Sequence, residues 1–169
     1  MSLRFEKFTE EHIPQYYEWR NDPEVAIFDQ SSFLRPMSFT EVEEWSSIMV
    51  NGLTFMVYDN DVAIGTCAFM HHDARNRHAE LAIVIGNKDY WSKGYGTKIM
   101  TQLMDWGFEG LNLNRLYLHV FGFNERAINL YKKMGFIHEG VMRDMLYRYG
   151  KYQDLHVYGI SKDEYNSSK

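Results

Sequence analysis

Cysteine is almost absent. Cys67 is the only one in 169 residues, which excludes an intrachain disulfide and a thiolate metal cluster. It sits in the apolar run Ile64-Gly-Thr-Cys-Ala-Phe69, where a buried and unreactive thiol is expected. Proline is scarce too, at three residues, and no low-complexity stretch or internal repeat occurs, which argues against a linker or a disordered tail. No apolar run approaches the roughly 20 residues of a membrane span. No signal peptide opens the chain, so a cytoplasmic setting is expected. Positive charge is in short supply: 18 Lys and Arg face 23 Asp and Glu, a formal net charge of −5. That balance disfavours nucleic acid and acidic surfaces and mildly favours a cationic partner.

Apolar residues are plentiful, at 45%, with 16% aromatic. This is the composition of a folded protein, and 169 residues suffice for one domain over 1–169 with a full core. Leu3 to Phe8 alternates as a strand does. Thr9 can cap a helix with Ile13, Tyr16, Tyr17 and Trp19 inward, ended by Arg20-Asn-Asp-Pro23. Glu24 to Pro36 reads as irregular. Its Phe28, Asp29, Gln30, Ser31, Phe33 and Leu34 form either a pocket wall or an ordinary packed loop. Ser38-Phe-Thr-Glu41 is a capping box before a helix over 40–49, with Val42, Trp45, Ile48 and Met49 inward. Strands follow over 54–58 and 62–70, joined by Asp59-Asn-Asp61. His71, His72, Asp73 and His78 are metal-ligand types. Adjacent histidines on an extended chain face opposite ways, however, so a polar hairpin turn is expected and no metal.

The centre of the chain carries the chemistry. Glu80-Leu-Ala-Ile-Val-Ile85 reads as a buried strand, followed by Trp91-Ser-Lys-Gly94-Tyr-Gly96-Thr97 and a helix pattern with Ile99, Met100, Leu103, Trp106 and Phe108 inward, ended by Gly110. A helix that opens in a glycine turn offers unpaired backbone donors and a positive dipole end to an anion. Gly94 and Gly96 permit close approach, Lys93 and Lys98 add charge, and Thr97 adds a hydroxyl. Those features suit a pyrophosphate. A Rossmann site fails for want of a third glycine at the right spacing, and a Walker loop for want of Gly-Lys-Ser/Thr. After a second strand, Arg115 to Val120, comes Asn124-x-x-Ala127-x-x-x-Tyr131-x-x-x-Gly135-Phe136. Ala127, Tyr131 and Gly135 step by four along one helix face, with Gly135 as a left-handed terminator. Phe136 to Arg143 and Tyr152 to Ile160 are expected to close the fold as two strands joined by a turn over 147–151.

Both motifs, in this order, resemble the GNAT superfamily of N-acetyltransferases, over essentially the whole chain and most strongly from Glu80 to Asp154. The family's first motif is Gln/Arg-x-x-Gly-x-Gly/Ala. Trp91 departs from it at the first position, as in the branch that acetylates ribosomal proteins. The resemblance implies an α+β fold: a mixed, mostly antiparallel sheet with a central splayed parallel strand pair and helices on both faces. It implies acetyl-CoA as co-substrate, held by Trp91, Lys93, Gly94, Tyr95, Gly96 and Thr97 at the pyrophosphate. Ile83, Val84 and Ile85 would pair with pantetheine, and Asn124, Ala127 and Tyr131 would also line the cofactor. Tyr131 becomes the general acid beside the CoA sulfur. Glu80 is either the base that takes the amine's proton, through a water, or a surface or salt-bridged carboxylate. The tail, Glu139-Gly140 and Gly150-Lys-Tyr152-Gln-Asp154, looks like the spermidine, ribosomal-protein and amino-sugar branches. The acceptor is therefore a polyamine, a protein N-terminal amine or an amino sugar, and a homodimer fits the family. The rival class is a non-catalytic acyl-CoA-binding sensor.

Overall fold

The structure, a computed structural model, describes residues 3–29 and 35–169. The expected wall residues Gln30, Ser31, Phe33 and Leu34 lie outside them. Chain contacts group into two compact units, Met1–Phe69 with Ala82–Tyr95, and Met70–Leu81 with Gly96–Lys169. Seven strands hydrogen-bond in the order β1-β2-β3-β4-β5-β7-β6. They are β1 (Leu3–Lys7), β2 (Leu53–Asp59), β3 (Val62–Asp73), β4 (His78–Ile85), β5 (Arg115–Phe121), β6 (Ile137–Arg148) and β7 (Lys151–Ser161). β4 and β5 run parallel, as the two central strands were expected to. Their ladder has three pairs, ending at Glu80 and Tyr117, while β4 continues for five more residues to Ile85.

In the first unit, β1, β2 and the start of β3 pair antiparallel, and Asn60 turns between β2 and β3 with φ 54°. A short 3-10 turn, Glu10–His12, leads into α1 (Ile13–Arg20). α1 buries Ile13, Tyr16 and Trp19 against Phe8, Val25, Val42 and Met56. Pro23 does more than end α1. Asp22 accepts a bond from the Glu24 N–H at 3.0 Å and caps a short α2 (Pro23–Ala26). Proline's fixed φ suits a first helical turn, where its missing N–H costs nothing, so the irregular stretch begins only after Ala26. The Ser38 capping box closes as expected: Glu41 N–H donates to Ser38 Oγ at 3.2 Å, and Ser38 N–H to Glu41 Oε2 at 2.7 Å. The helix it starts, α3 (Phe39–Asn51), buries Val42 and Ser46. Ile48, expected inward, is 74% exposed. At about 100° per residue it stands roughly 240° round the helix from Val42.

In the second unit, β5 pairs with β7 and β7 with β6, both antiparallel. The β6–β7 turn is shorter than expected. It is Tyr149-Gly150, both at positive φ, the two-residue geometry that matches strand twist. α4 (Tyr95–Asp105) buries Ile99, Met100, Leu103 and Met104 and runs into a π turn, Trp106–Gly110, with Phe108 buried and Trp106 only half-buried. α5 (Glu125–Lys133) ends in a Schellman motif. Phe136 N–H bonds Tyr131 C=O at 3.0 Å, Gly135 N–H bonds Lys132 C=O at 3.1 Å, and Gly135 sits at φ +92°. The structure adds α6 (Lys162–Ser167), which sequence analysis missed although Ser161 and Glu164 form its capping box. Tyr165 of α6 stacks on Phe108 at 4.7 Å. Its signal was short and largely polar, and tertiary packing makes so brief a helix worthwhile.

Candidate active site

The stretch from Ile83 to Thr97 is pinned by side chains of its own unit up to Tyr95. Gly65 lets β3 approach β4 closely, since a Cβ there would stand 2.2 Å from the Val84 oxygen. Beyond β4, Asn87 N–H donates to Ile64 C=O at 3.1 Å. Trp91 donates its indole N–H to Ile85 C=O at 2.7 Å. The Tyr95 hydroxyl donates to Asp59 Oδ2 at 2.6 Å, which pushes the phenol up to about 12. Trp91, the departure from the glycine motif, thus takes a positional role, and the Ile85 carbonyl is already engaged by it. Between these anchors the backbone takes left-handed steps at Ser92 (φ 57°) and Gly94 (φ +83°). Lys93 is exposed between them. A Cβ at Gly94 would meet nothing within 4 Å, so its backbone stands open. α4 begins at the next residue, with the unpaired N–H groups of a helix start and its positive dipole end. Gly96 and Thr97 are half-buried in that first turn. The arrangement suits a phosphate-bearing ligand.

The other expected residues belong to the second unit. Asn124 caps α5, its Oδ1 accepting from Ala127 N–H at 3.2 Å. Ala127 is half-buried and Tyr131 is 9% exposed. Burial pushes the Tyr131 phenol up to about 12, so it holds its proton throughout the neutral range. Its ring lies beside Phe136 and Tyr158, at 6.1 and 6.5 Å.

Glu80 is neither a surface carboxylate nor paired with Lys or Arg in any described contact. It is 6% exposed. Its Oε1 lies 2.6 Å from His119 Nδ1 on β5, and its Oε2 lies 2.8 Å from His71 Nδ1 on β3. The three strands deliver one carboxylate between two imidazoles. His71 reaches it from a left-handed backbone, φ 48°, a conformation a histidine holds only when its surroundings require it. Sequence analysis missed both imidazoles as partners. The available signal was a histidine inside the otherwise apolar Leu118–Val120 of β5. No group of three or more His, Cys, Asp or Glu among the described residues has a metal-binding arrangement.

A carboxylate between two imidazoles and a buried, protonated phenol in the second unit suit proton transfer, and a glycine turn opening a helix suits an anion. Comparison with known proteins decides the family. The model of the GNAT acetyltransferase domain matches residues 2–137. This chain belongs to the GNAT acetyltransferase family. Members transfer an acetyl group from acetyl-CoA to an amine, and this is the chain's activity class. An uncharacterized N-acetyltransferase of Bacillus licheniformis, p20, is 30% identical over 159 residues, 88% of this chain and 86% of that one. The spermidine N(1)-acetyltransferase of Vibrio cholerae is 30% identical over 132 residues, 76% of each. The crystal structure of the Vibrio cholerae spermidine N-acetyltransferase in complex with CoA and spermine superposes with a TM-score of 0.87 at 25% identity, covering 97% of this chain and 98% of that one. The expected GNAT fold is therefore present, parallel strand pair included.

Proposed function

We propose that this GNAT acetyltransferase acts on a single primary amine, as on a peptide N-terminus or an amino sugar, rather than on a polyamine. The observation that carries the proposal is how the carboxylates around α2 are engaged. A polyamine needs unneutralised carboxylates to hold its spread charges. Here Lys88 bridges Asp22, at 2.9 Å, and Glu24, and Arg20 lies 3.6 Å from Asp29. The chain's own cations already occupy those positions. Likeness to the Vibrio cholerae enzyme favours the second reading, a polyamine acceptor.

Acetyl-CoA supplies an activated carbonyl and a thiolate leaving group. Lys93 and the backbone of Gly94, Tyr95, Gly96 and Thr97 bind its pyrophosphate, and Trp91 holds that loop against Ile85. The backbone of Ile83, Val84 and Ile85 lies past the end of the parallel ladder and pairs with pantetheine; an N–H near Val84 stabilises the oxyanion. Asn124 and Ala127 shape the start of α5 along the cofactor. Tyr131 donates a proton to the departing sulfur. A phenol near 12 can do so because a thiolate in a water-poor site is destabilised by the same desolvation. That effect pushes the Cys67 thiol up to about 12. The amine loses its ammonium proton at the Glu80 cluster. A cytoplasmic enzyme with a reduced Cys67 fits this reading. A homodimer also fits, and sedimentation checks it.

The test is thiol release from acetyl-CoA against spermidine and spermine, short peptides beginning in Ser, Ala or Asp, aminoglycosides, and nucleotide-linked amino sugars. Turnover confined to peptides or sugars is expected. Faster turnover of spermidine would overturn the acceptor assignment. No thiol release with any of these amines, although acetyl-CoA still raises the Tm, would favour the sensor.

A further inference from the structure

We infer, resting on the acetyl-CoA site proposed above, that Asp59 is a positioning residue for the cofactor. Through the Tyr95 hydroxyl it holds the start of α4 where the pyrophosphate binds.

Residue order places Asp59 in the polar turn Asp59-Asn-Asp61, where a side chain should face water. In the structure it is the last residue of β2, opposite Leu3 on β1 and Val62 on β3, and only 8% exposed. Its two oxygens differ. Oδ2 accepts the Tyr95 hydroxyl at 2.6 Å. Oδ1 is buried and has no hydrogen-bond partner among the described residues. A buried polar atom left unpaired costs stability. Apolar residues of similar volume in place of a buried ionic group are often neutral or stabilising. The packing of β2 therefore gives no reason for a carboxylate at this position, whereas the bond to Tyr95 does.

Tyr95 lies between Gly94 and Gly96 and is the first residue of α4. It is buried, and its ring stands edge-on to Tyr90 at 5.0 Å. The bond to Asp59 pushes its phenol up to about 12, so the phenol keeps its proton and the bond persists throughout the neutral range.

Two anchors thus bracket the loop. The Trp91 bond to Ile85 C=O fixes its entry, and Asp59 fixes its exit through Tyr95. Between them the backbone takes the left-handed steps at Ser92 and Gly94. A Cβ at Gly94 would meet nothing within 4 Å, so the order of this stretch comes from its ends. Fixing both ends before the ligand arrives removes an ordering cost from binding. The groups so ordered are backbone donors for an anion. The benefit therefore falls on affinity for acetyl-CoA, not on the chemical step.

The test is calorimetric titration of the full chain with CoA, beside KM and kcat for thiol release from acetyl-CoA with spermidine, an alanine-initiated peptide and glucosamine. Tyr95→Phe removes the donor and Asp59→Ala the acceptor. Each should raise the Kd for CoA about 10-fold, the scale of one hydrogen bond to a charged group, with the loss falling on KM rather than kcat. Asp59→Asn keeps a carbonyl oxygen for Tyr95 and should restore the affinity. In the double variant Asp59→Ala with Tyr95→Phe neither partner is left unpaired, so its urea midpoint should recover towards the parent's while its Kd stays raised. A pair with a merely structural role would move stability and affinity together, and that result would overturn the inference. So would a parental Kd in Tyr95→Phe and in the double variant, or a Kd in Asp59→Asn as high as in Asp59→Ala. Each of these leaves the cofactor site standing. Failure of the parent chain to bind CoA would instead overturn the site itself. Where a single variant shows no cooperative urea transition, the double variant and Asp59→Asn carry the test.

Discussion

Single side chains here are tuned mainly by burial and by one or two neighbours. Tyr131 and Cys67 show the first effect, each pushed up to about 12 by desolvation. Tyr131→Phe should lower turnover about 10²-fold with little change in acetyl-CoA affinity. Single-turnover kinetics beside calorimetric binding checks this, and an unchanged rate would remove Tyr131 from the acid role. Cys67 is 1% exposed and should resist thiol reagents in the native protein at neutral pH, reacting only after denaturation. Glu41 shows the second effect. The Arg35 guanidinium, then the Ser38 backbone and hydroxyl, hold its carboxyl down at about 2. A folded value below the unfolded one adds stability that is present above about 4.3 and is lost as pH falls through about 2. Urea midpoints should therefore fall less steeply with acidification in Glu41→Gln than in the parent.

Elements in this chain are closed by local devices whose removal has local costs. α3 depends on the Ser38–Glu41 box, and Ser38→Ala should cost about 1 kcal/mol in denaturant titration. α5 depends on Gly135 at φ +92°, where an added Cβ meets only Ile160 Cδ1, at 3.5 Å. Space is adequate, so the penalty of Gly135→Ala is backbone strain, about 1–2 kcal/mol, read as a Tm lower by roughly 2–4 °C per kcal/mol. The loop between β4 and α4 depends on the Trp91 bond to Ile85. Trp91→Phe keeps the ring and removes the donor, so it should raise the KM for acetyl-CoA while leaving the rate at saturation nearly unchanged. An unaltered KM would show that the loop is held without that bond.

For the whole molecule, the net charge of −5 sets the background against which an anionic co-substrate must bind. In the proposed site the attraction is local, at Lys93 and the α4 start, and should weaken with salt less than a broad basic patch would. Acetyl-CoA at 100 times its Kd should stabilise the native state by about 2.7 kcal/mol, read as a concentration-dependent Tm. Failure to shift the Tm would contradict co-substrate binding by the native protein.

Much of this protein was legible from residue order alone, because much of it rests on local physics. The capping box, the Asn60 turn, the glycine loop before α4 and the terminator at Gly135 each need only a few consecutive residues with the right donors and dihedrals. The parallel strand pair and the family followed from the order of those motifs. Ile48 and α6 were misread or missed because burial of a helix face and survival of a short helix depend on what packs against them. The surroundings of Glu80 were illegible for a stronger reason. His71, Glu80 and His119 lie 9 and 39 residues apart along the chain. Only the alignment of β3, β4 and β5 brings the two imidazoles onto one carboxylate, and no local rule relates residues on three different strands.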